Sequence, residues 1–312
     1  MNLENLERTS SKMIKKLTVC IVTYKREAGL AKLLAELAKQ TFTNFDVIIT
    51  DNAKESNVEN VVKNSTLSIS LFNEPRQGVV YARNKCLEEF LKTDSDALVW
   101  IDDDEWPEYE NWLEELIVAH DLTKSDIITS DVISHPEDYS IKFLERALYA
   151  KDYSVKDYVE LSKFYTGNTL IMRSVVEKVG FFDLDFNLTG SEDLDYCTRS
   201  GKLGFKAVYA KNAKVIELHP KSRSSLKWFA LRGFRVGQGS TLVSVKNKGL
   251  TRTLLLLIPY AGYRFLDAIM ILSKSLITLD KSKLYAGVLR LGSSLGTISG
   301  IFGFKYKEYK KK

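Results

Sequence analysis

The stretch Ala97-Leu98-Val99-Trp100-Ile101-Asp102-Asp103-Asp104 joins a short apolar run to three consecutive aspartates. The apolar part is short and partly β-branched or aromatic, which predicts a buried β-strand. Three adjacent carboxylates repel one another and are not buried without a compensating cation. At the carboxyl end of a strand in an open α/β sheet they would lie where such sheets bind ligands. Two interpretations are open here: a site for Mg²⁺ or Mn²⁺, which accept hard oxygen ligands, and a solvated acidic turn before a helix near Pro107.

Strands and helices alternate ahead of this stretch. Apolar runs predict strands at 17–23, 45–50, 67–72 and 97–101, and the intervening periodicity predicts helices at 28–39, 55–63 and 78–91. This alternation is typical of right-handed βαβ units, so we expect an α/β fold with a Rossmann-like, mostly parallel sheet flanked by helices. The turn after the first strand reads Thr23-Tyr24-Lys25-Arg26. It lacks both GxGxxG and GxxxxGK[ST], which disfavours a dinucleotide-binding fold and a P-loop.

The pattern loosens after the aspartates. It predicts helices near 109–119 and 174–179, strands near 126–133 and 164–173, and a long connection over 139–166. A further helix is expected to begin near Glu192 and Asp193. Acidic residues in a first turn interact favourably with the helix dipole, so these two side chains have a purely structural explanation as well as a chemical one.

The composition changes again near residue 250. Residues 254–279 are mostly apolar, although Arg264 and Asp267 interrupt them at a spacing that would let the two side chains pair. Residues 284–304 place Gly292, Gly296 and Gly300 four apart, on one face of a helix, which is the arrangement that lets two helices approach closely. The C-terminal region is therefore expected to be an apolar helical appendage. Interfacial helices, a re-entrant or membrane-spanning hairpin and an oligomerisation core all remain open.

These patterns divide the chain into three parts. We expect a flexible N-terminus at 1–16, a catalytic domain at 17–240, and a helical, membrane-associating region with a basic tail at 241–312. Charge and cysteine usage bear on the surroundings. Basic residues are concentrated between 221 and 252, which suggests an anionic partner such as phospholipid, polyphosphate or nucleic acid. The three cysteines are widely spaced and fit neither a disulfide framework nor a zinc site, as expected in a reducing compartment.

Several short segments, taken in order, resemble one family. They are Thr23-Tyr24-Lys25-Arg26, Asp51-Asn52, Asn73-Glu74-Pro75-Arg76-Gln77-Gly78, Ala82-Arg83-Asn84, Trp100-Ile101-Asp102-Asp103-Asp104, Gly167-Asn168 and Glu192-Asp193-Leu194-Asp195. This set resembles the family 2 glycosyltransferases of the GT-A fold, and the resemblance extends over roughly residues 17–240. It implies transfer of a sugar from a nucleotide diphosphosugar, most simply a UDP-sugar, with inversion of the anomeric carbon.

The resemblance also implies roles for individual residues. Thr23, Tyr24, Arg26 and Asp51 would bind the base, and Asp102 and Asp103 would contact the donor, with Arg83 as a diphosphate contact or a structural ion pair. Asp104 would bind the metal and His219 would be a further metal or diphosphate contact. Asp193 would act as general base. Along an extended strand Asp102 and Asp104 share one side and Asp103 faces the other, which favours Asp104 first and Asp103 least.

The expected cofactor is Mg²⁺ or Mn²⁺, and the expected acceptor is a glycan or a lipid-linked glycan in cell-surface polysaccharide biosynthesis. We expect the protein to be cytoplasmic and held at the inner membrane surface, peripherally or partly inserted, without a nucleic-acid partner and with homo-oligomerisation open. The QxxRW signature of processive synthases is absent from residues 228–237, which favours transfer of one sugar per encounter. Two alternatives are a non-catalytic, membrane-associated nucleotide-sugar binder and a sugar-nucleotide pyrophosphorylase, although the glycine-rich GxGTRLxP loop of the latter is missing.

Overall fold

The computed structural model describes residues 13–148 and 156–306, which form a large mixed sheet, a small three-stranded sheet and a C-terminal group of long helices. Most of the N-terminal segment expected to be flexible, residues 1–12, lies outside the described residues, as does most of the basic tail, 307–312. So do residues 149–155 of the long connection; its described part holds α5 (Leu144–Leu148) and the short strand β8 (Glu160–Leu161).

The first four strands are parallel and form half of the large sheet. They are β1 (Leu17–Thr23), β2 (Phe45–Asp51), β3 (Ile69–Asn73) and β4 (Ala97–Trp100), in the spatial order β3-β2-β1-β4. Helices α1 (Glu27–Leu37), α2 (Val58–Lys63) and α3 (Val79–Phe90) connect them. All four residues of β4 are buried, as its apolar sequence predicts. The strand order reverses at β1, which has β2 on one side and β4 on the other, and such reversals open a crevice at the carboxyl ends.

The second half of the sheet is mixed. Strand β9 (Thr169–Met172) runs antiparallel to both β4 and β6 (Ile127–Thr129), and β10 (Ala207–Tyr209) pairs parallel with β6 and antiparallel with β8. The small sheet contains β5 (Glu105–Pro107), β11 (Val215–His219) and β7 (Val132–Pro136). Helices α4 (Trp112–Thr123), α6 (Arg173–Val179) and α7 (Glu192–Lys202) complete this half.

Two predicted strands are wrong in extent. The strand expected at 126–133 is two strands in different sheets, because at residues 130–131 the chain leaves the large sheet and the backbone carbonyl of Asp131 accepts hydrogen bonds from Asn168 Nδ2 and Val215 N. The strand expected at 164–173 begins only at Thr169. Asn168 has a positive φ of 55°, which a continuous strand does not allow.

Three helices follow the sheet: α8 (Leu226–Lys248), α9 (Leu250–Thr278) and α10 (Lys281–Ile301). The predicted glycine face exists and packs against α8. A Cβ on Gly292 or Gly296 would overlap the backbone carbonyls of Ala230 and Phe234. Two glycines of α8 reciprocate: a Cβ on Gly233 or Gly237 would overlap the backbone of α10. Residue 240, the predicted end of the catalytic domain, lies inside α8, so the division into domains stays a prediction.

Helix α9 lies on the outside of this group. Within the part of the chain that the structure describes, it is the helix long and apolar enough to cross a membrane, and only 11% of its apolar window is buried. The spacing of Arg264 and Asp267 allows them to pair, but the structure pairs Asp267 elsewhere. Asp267 forms an ion pair with Arg290 of α10 at 2.6 Å, because α10 packs alongside α9 and places the Arg290 guanidinium next to this carboxylate.

Candidate active site

The site lies at the carboxyl ends of β1, β2 and β4. In the sheet register Thr23 is opposite Asp51, and Asp51 is opposite Asn73, so their side chains emerge at one edge. Strand β4 ends at Trp100, and the three aspartates form the turn that follows. The edge therefore collects side chains that are far apart in sequence, as expected at the switch point of an open α/β sheet.

Asp103 ties this turn to the end of β1. Its carboxylate accepts hydrogen bonds from Thr23 Oγ1 and from Arg26 Nη1, both at 2.8 Å. Burial raises the pKa of Asp103 to about 6, against the opposing effect of Arg26. Asp103 was expected to matter least, yet it holds the two turns together. The alternation argument does not apply, because the strand ends before the aspartates and the backbone turns.

Asp104 lies between two arginines. Its Oδ2 atom is 2.6 Å from Arg26 Nη1 and 3.7 Å from Arg223 Nη1. Arg223 also lies 3.8 Å from Glu217. Burial raises the pKa of Asp104 and Arg26 opposes that rise. The sequence places Arg223 in the basic stretch but gives no signal that it reaches the aspartates, since its contact depends on the fold.

A buried arginine connects the aspartates to α7. Arg83 Nη1 lies 2.5 Å from Glu192 Oε1, and Arg83 Nη2 lies 3.5 Å from Asp102 Oδ1. Of the two roles expected for Arg83, the structural ion pair is therefore present. Burial raises the pKa of Glu192 to about 7, which Arg83 opposes and the charge of Asp193 reinforces. Glu192 Oε2 is buried and has no hydrogen-bond partner.

Asp193 stands in the first turn of α7, next to Glu192. Its Oδ1 accepts a hydrogen bond from the backbone N–H of Leu194 at 2.7 Å, so its carboxylate interacts with the first helical turn as the structural explanation expects. Burial is the main cause that raises its pKa, and Arg83 opposes it. Partial burial is the main cause of a raised pKa of the Tyr165 phenol, and the charge of the nearby Asp193 raises it further. Just over half of the Tyr165 side chain, 56%, is exposed to solvent. A carboxylate of raised pKa beside an accessible surface has the properties of a general base.

Asp51 and Asn52 organise the neighbouring loops. Asp51 is buried; Oδ1 accepts from the Ala53 N–H at 2.9 Å, and Oδ2 accepts from Ser56 Oγ. These bonds cap the turn that follows β2, and the contact of Asp51 with the base stays a prediction. Asn52 Nδ2 donates to the carbonyls of Glu74 and Arg76 and so shapes the loop before α3. Nearby Tyr24 is 51% exposed.

His219 is the last residue of β11 and is buried. Its ring meets Trp228 edge-on at 5.6 Å, and its Nε2 has no hydrogen-bond partner. Burial lowers its pKa, which favours the neutral imidazole that binds metals. The structure brings it beside Arg223, the same arginine that contacts Asp104.

The oxygen and nitrogen atoms of the site are of the kinds that bind a divalent cation, but they do not form a complete coordination sphere. Over residues 13–148 and 156–306 no group of three or more His, Cys, Asp or Glu side chains is arranged to hold one. Asp102 and Asp104 nevertheless provide hard oxygens, and His219 provides an unpartnered nitrogen. In this arrangement Arg26 and Arg223 supply the positive charge beside Asp104.

Comparison with known proteins places this geometry in context. Residues 18–180 match the model of the family described as Glycosyl transferase family 2. A succinoglycan biosynthesis protein, ExoM, of Rhizobium meliloti is 27% identical over 91% of this chain and 92% of its own length. An uncharacterized glycosyltransferase of Bacillus subtilis, YwdF, is 27% identical over 60% of this chain and 68% of its own.

Two solved structures show the fold. The Pyrobaculum calidifontis mannosyltransferase PcManGT, in complex with GDP-Man and Mn²⁺, superposes with a TM-score of 0.64 at 17% identity, covering 92% of this chain and 87% of the other. S. aureus TarS 1–349 with UDP-GlcNAc gives 0.56 at 14% identity, covering 94% and 93%. The GT-A fold predicted from the sequence is confirmed.

Proposed function

The chain belongs to glycosyl transferase family 2, and from this membership we propose that it is a metal-dependent, inverting enzyme. It would move one sugar at a time from a nucleotide diphosphosugar to a hydroxyl of a glycan or lipid-linked acceptor in cell-surface polysaccharide synthesis. The name of the relative that matches over 91% of the chain supports the pathway class. The observation that carries the proposal is the convergence of the aspartate turn, Arg83 and the Glu192–Asp193 pair at one sheet edge. Membership of this family favours a transferase over both alternatives, a pyrophosphorylase and a non-catalytic binder.

Donor binding follows from the charges at the edge. A diphosphate carries negative charge, and Arg26 and Arg223 form ion pairs with Asp104 within 4 Å, so their guanidinium groups are placed to bind phosphate oxygens as well. Asp51 would accept a hydrogen bond from the base, because each carboxylate oxygen has a second lone pair beyond the bonds from Ala53 and Ser56. We propose uracil as that base; solved neighbours hold both GDP-Man and UDP-GlcNAc, so the fold alone accommodates either.

Asp104 would bind Mg²⁺ or Mn²⁺, with His219 as a further metal or diphosphate contact, while Asp102 would contact the donor. The cation would act as a Lewis acid on the departing diphosphate. Structural neighbours solved with Mn²⁺ support use of a divalent metal. Asp193 would take the proton of the acceptor hydroxyl as attack proceeds, which contributes about 10²- to 10⁴-fold. Because attack occurs on the face opposite the leaving group, a single displacement inverts the anomeric carbon.

The exposed face of α9 would hold the enzyme at an anionic membrane surface, on the cytoplasmic side. Its large apolar side chains point to solvent: Leu255, Leu256, Tyr263, Leu266, Leu276 and Ile277. Helix α10 is enclosed between α8 and α9, by the glycine contacts on one side and the Arg290–Asp267 pair on the other. A spanning hairpin would have to pull α10 away from α8. Helix α9 lying along the surface keeps both contacts and buries its apolar side.

The donor proposal is tested by thermal unfolding of the full chain with UDP-, GDP- and dTDP-sugars, in Mn²⁺ or in EDTA. We expect one nucleotide class, UDP-sugars, to raise Tm only with metal, since a ligand at 100 times its Kd adds about 2.7 kcal/mol of stability. Asp104→Ala should lose that metal-dependent rise. Glu160→Ala, which removes an exposed carboxylate far along the sheet, should keep it. No shift with any donor, or an unchanged shift in Asp104→Ala, would refute the proposal.

The membrane proposal is tested by flotation with phosphatidylglycerol-containing vesicles. Leu266→Glu should lower the bound fraction about tenfold, because it removes one apolar side chain and adds a charge. Leu122→Glu on α4 is the matched control, since Leu122 is 66% exposed and Leu266 69%. Wild type that does not float, or a Leu266→Glu variant that floats like the control, would contradict the assignment of α9.

A further inference from the structure

Helix α8 packs on two elements at once. Gly233 and Gly237 face α10, and a Cβ on either would overlap the backbone of Leu289 or Ser293. Gly239 faces the other way, since residues two apart on a helix are separated by about 200°. A Cβ on Gly239 would overlap Ser191 Oγ and lie 2.8 Å from Ser191 Cβ. The same helix therefore touches α10 and the start of α7.

Ser191 immediately precedes α7 as its N-cap residue, two positions before Asp193. Its backbone is left-handed, with φ 73°, and its side chain makes no capping hydrogen bond. A non-glycine residue is strained at such a φ and stays there only when its surroundings hold it. The contact with Gly239 is part of those surroundings.

The C-terminal end of α8 makes a second set of contacts with α7. Asn247 Nδ2 donates to Asp195 Oδ1 at 2.9 Å, and Lys202 Nζ donates to the carbonyl of Asn247 at 2.7 Å. Asp195 is fully buried and also pairs with Arg199 at 2.8 Å. Helix α7 is thus fixed against α8 at both its first and its last turn.

We propose that Gly239 and Ser191 are positioning residues for Asp193, so that α8 sets where the base stands relative to the acceptor. The inference rests on the proposed role of Asp193. Helix α8 cannot yield to an added methyl at 239, because its opposite side meets the α10 backbone at Gly233 and Gly237. Rotation of the Ser191 side chain can move Oγ aside but leaves Cβ at 2.8 Å, so the start of α7 would have to shift, and Asp193 with it. Because α8 also packs on α10, this contact connects the position of Asp193 to the α9–α10 pair.

The contact makes a compensation experiment possible. Gly239→Ala should lower kcat about 10- to 100-fold with the donor KM little changed, since a displacement of about 1 Å of a reacting group has effects of that size. Adding Ser191→Gly removes both atoms that the new methyl meets, and glycine adopts a positive φ without strain. The double variant should recover most of kcat. Adding Ser191→Ala, which keeps Cβ, should recover less, and the single Ser191 variants give the reference rates.

Gly201→Ala is the matched control, because Gly201 belongs to α7 and has nothing within 4 Å of its Cβ position. It should leave kcat as in wild type. Equal kcat in Gly239→Ala and the control, or no recovery in the double variant, would overturn the inference. If Gly239→Ala does not fold, the folding and activity of the double variant decide in the same way. Asp193→Asn reports separately on the base: an active Asp193→Asn would end the proposed function, whatever the rescue shows.

Discussion

The edge of the sheet and the seam between α8 and α10 are built on opposite principles. At the edge, six acidic side chains at 102–105 and 192–193 lie close together, Arg26, Arg83 and Arg223 form ion pairs with four of them, and burial raises the pKa of most of the carboxyls. At the seam, Gly237, Gly292 and Gly296 bring two backbones together with no side chain between them.

The difference teaches where each region is vulnerable. The sheet edge depends on keeping buried charges compensated, so removing one cation leaves carboxylates without a partner. The seam depends on the absence of atoms, so adding a single methyl is enough to disturb it. Between the two regions stands α7, which holds Glu192 at the edge and is packed on α8 through Ser191 and Asn247.

The largest effect is expected at the buried pair. Arg83→Met should lower the free energy of unfolding by about 3–5 kcal/mol, because it leaves Glu192 and Asp102 without their cation. The midpoint of urea unfolding measures this. Lys206→Met is the control, as its pair with Glu160 is solvent-exposed and contributes at most about 1 kcal/mol. Equal losses of unfolding free energy in the two variants would contradict the expected difference between a buried and an exposed ion pair.

The seam should respond less. Gly296→Ala is expected to lower the free energy of unfolding by about 1–3 kcal/mol, since the new Cβ overlaps the Phe234 carbonyl and a packed backbone cannot move aside freely. Gly262→Ala in α9 has open space and should be neutral or stabilising by up to about 1 kcal/mol. A Gly296→Ala protein as stable as Gly262→Ala would mean that the two helices are not in close contact.

A smaller, pH-dependent effect is expected at Glu192. Its pKa is raised from the ordinary value near 4.3 to about 7, so between these values the folded state binds more protons than the unfolded state. The contribution of Glu192 to stability therefore falls as pH rises from about 4 to about 7. Glu192→Gln should make the plot of unfolding free energy against pH flatter over that range, measured in EDTA. Identical slopes in variant and wild type would show that Glu192 is not buried as described.

Local sequence patterns were sufficient where neighbours in space follow from the fold class. The apolar run at 97–101 followed by aspartates, Asp51 at the end of β2 and the glycines of α10 all lie as expected, since the carboxyl ends of parallel strands meet and residues four apart share a helix face. The predicted α/β class followed from alternation alone.

Contacts across long separations could not be read in the same way. Arg83 meets Glu192 although 109 positions separate them, and Arg223 reaches Asp104 from beyond β11. The spacing of Arg264 and Asp267 would allow an ion pair, but Asp267 pairs with Arg290 of α10. In each case a charged side chain has several candidate partners of opposite sign, and only the packing of the elements decides between them.

The most direct test of the account is the behaviour of Asp193→Asn with the donor identified by thermal unfolding. We predict that its rate of sugar transfer falls about 10²- to 10⁴-fold, because the base is lost, while the Kd for the donor changes less than about threefold. Asparagine keeps the size of the side chain and its bond to the Leu194 N–H. Transfer at the wild-type rate by Asp193→Asn would contradict the account.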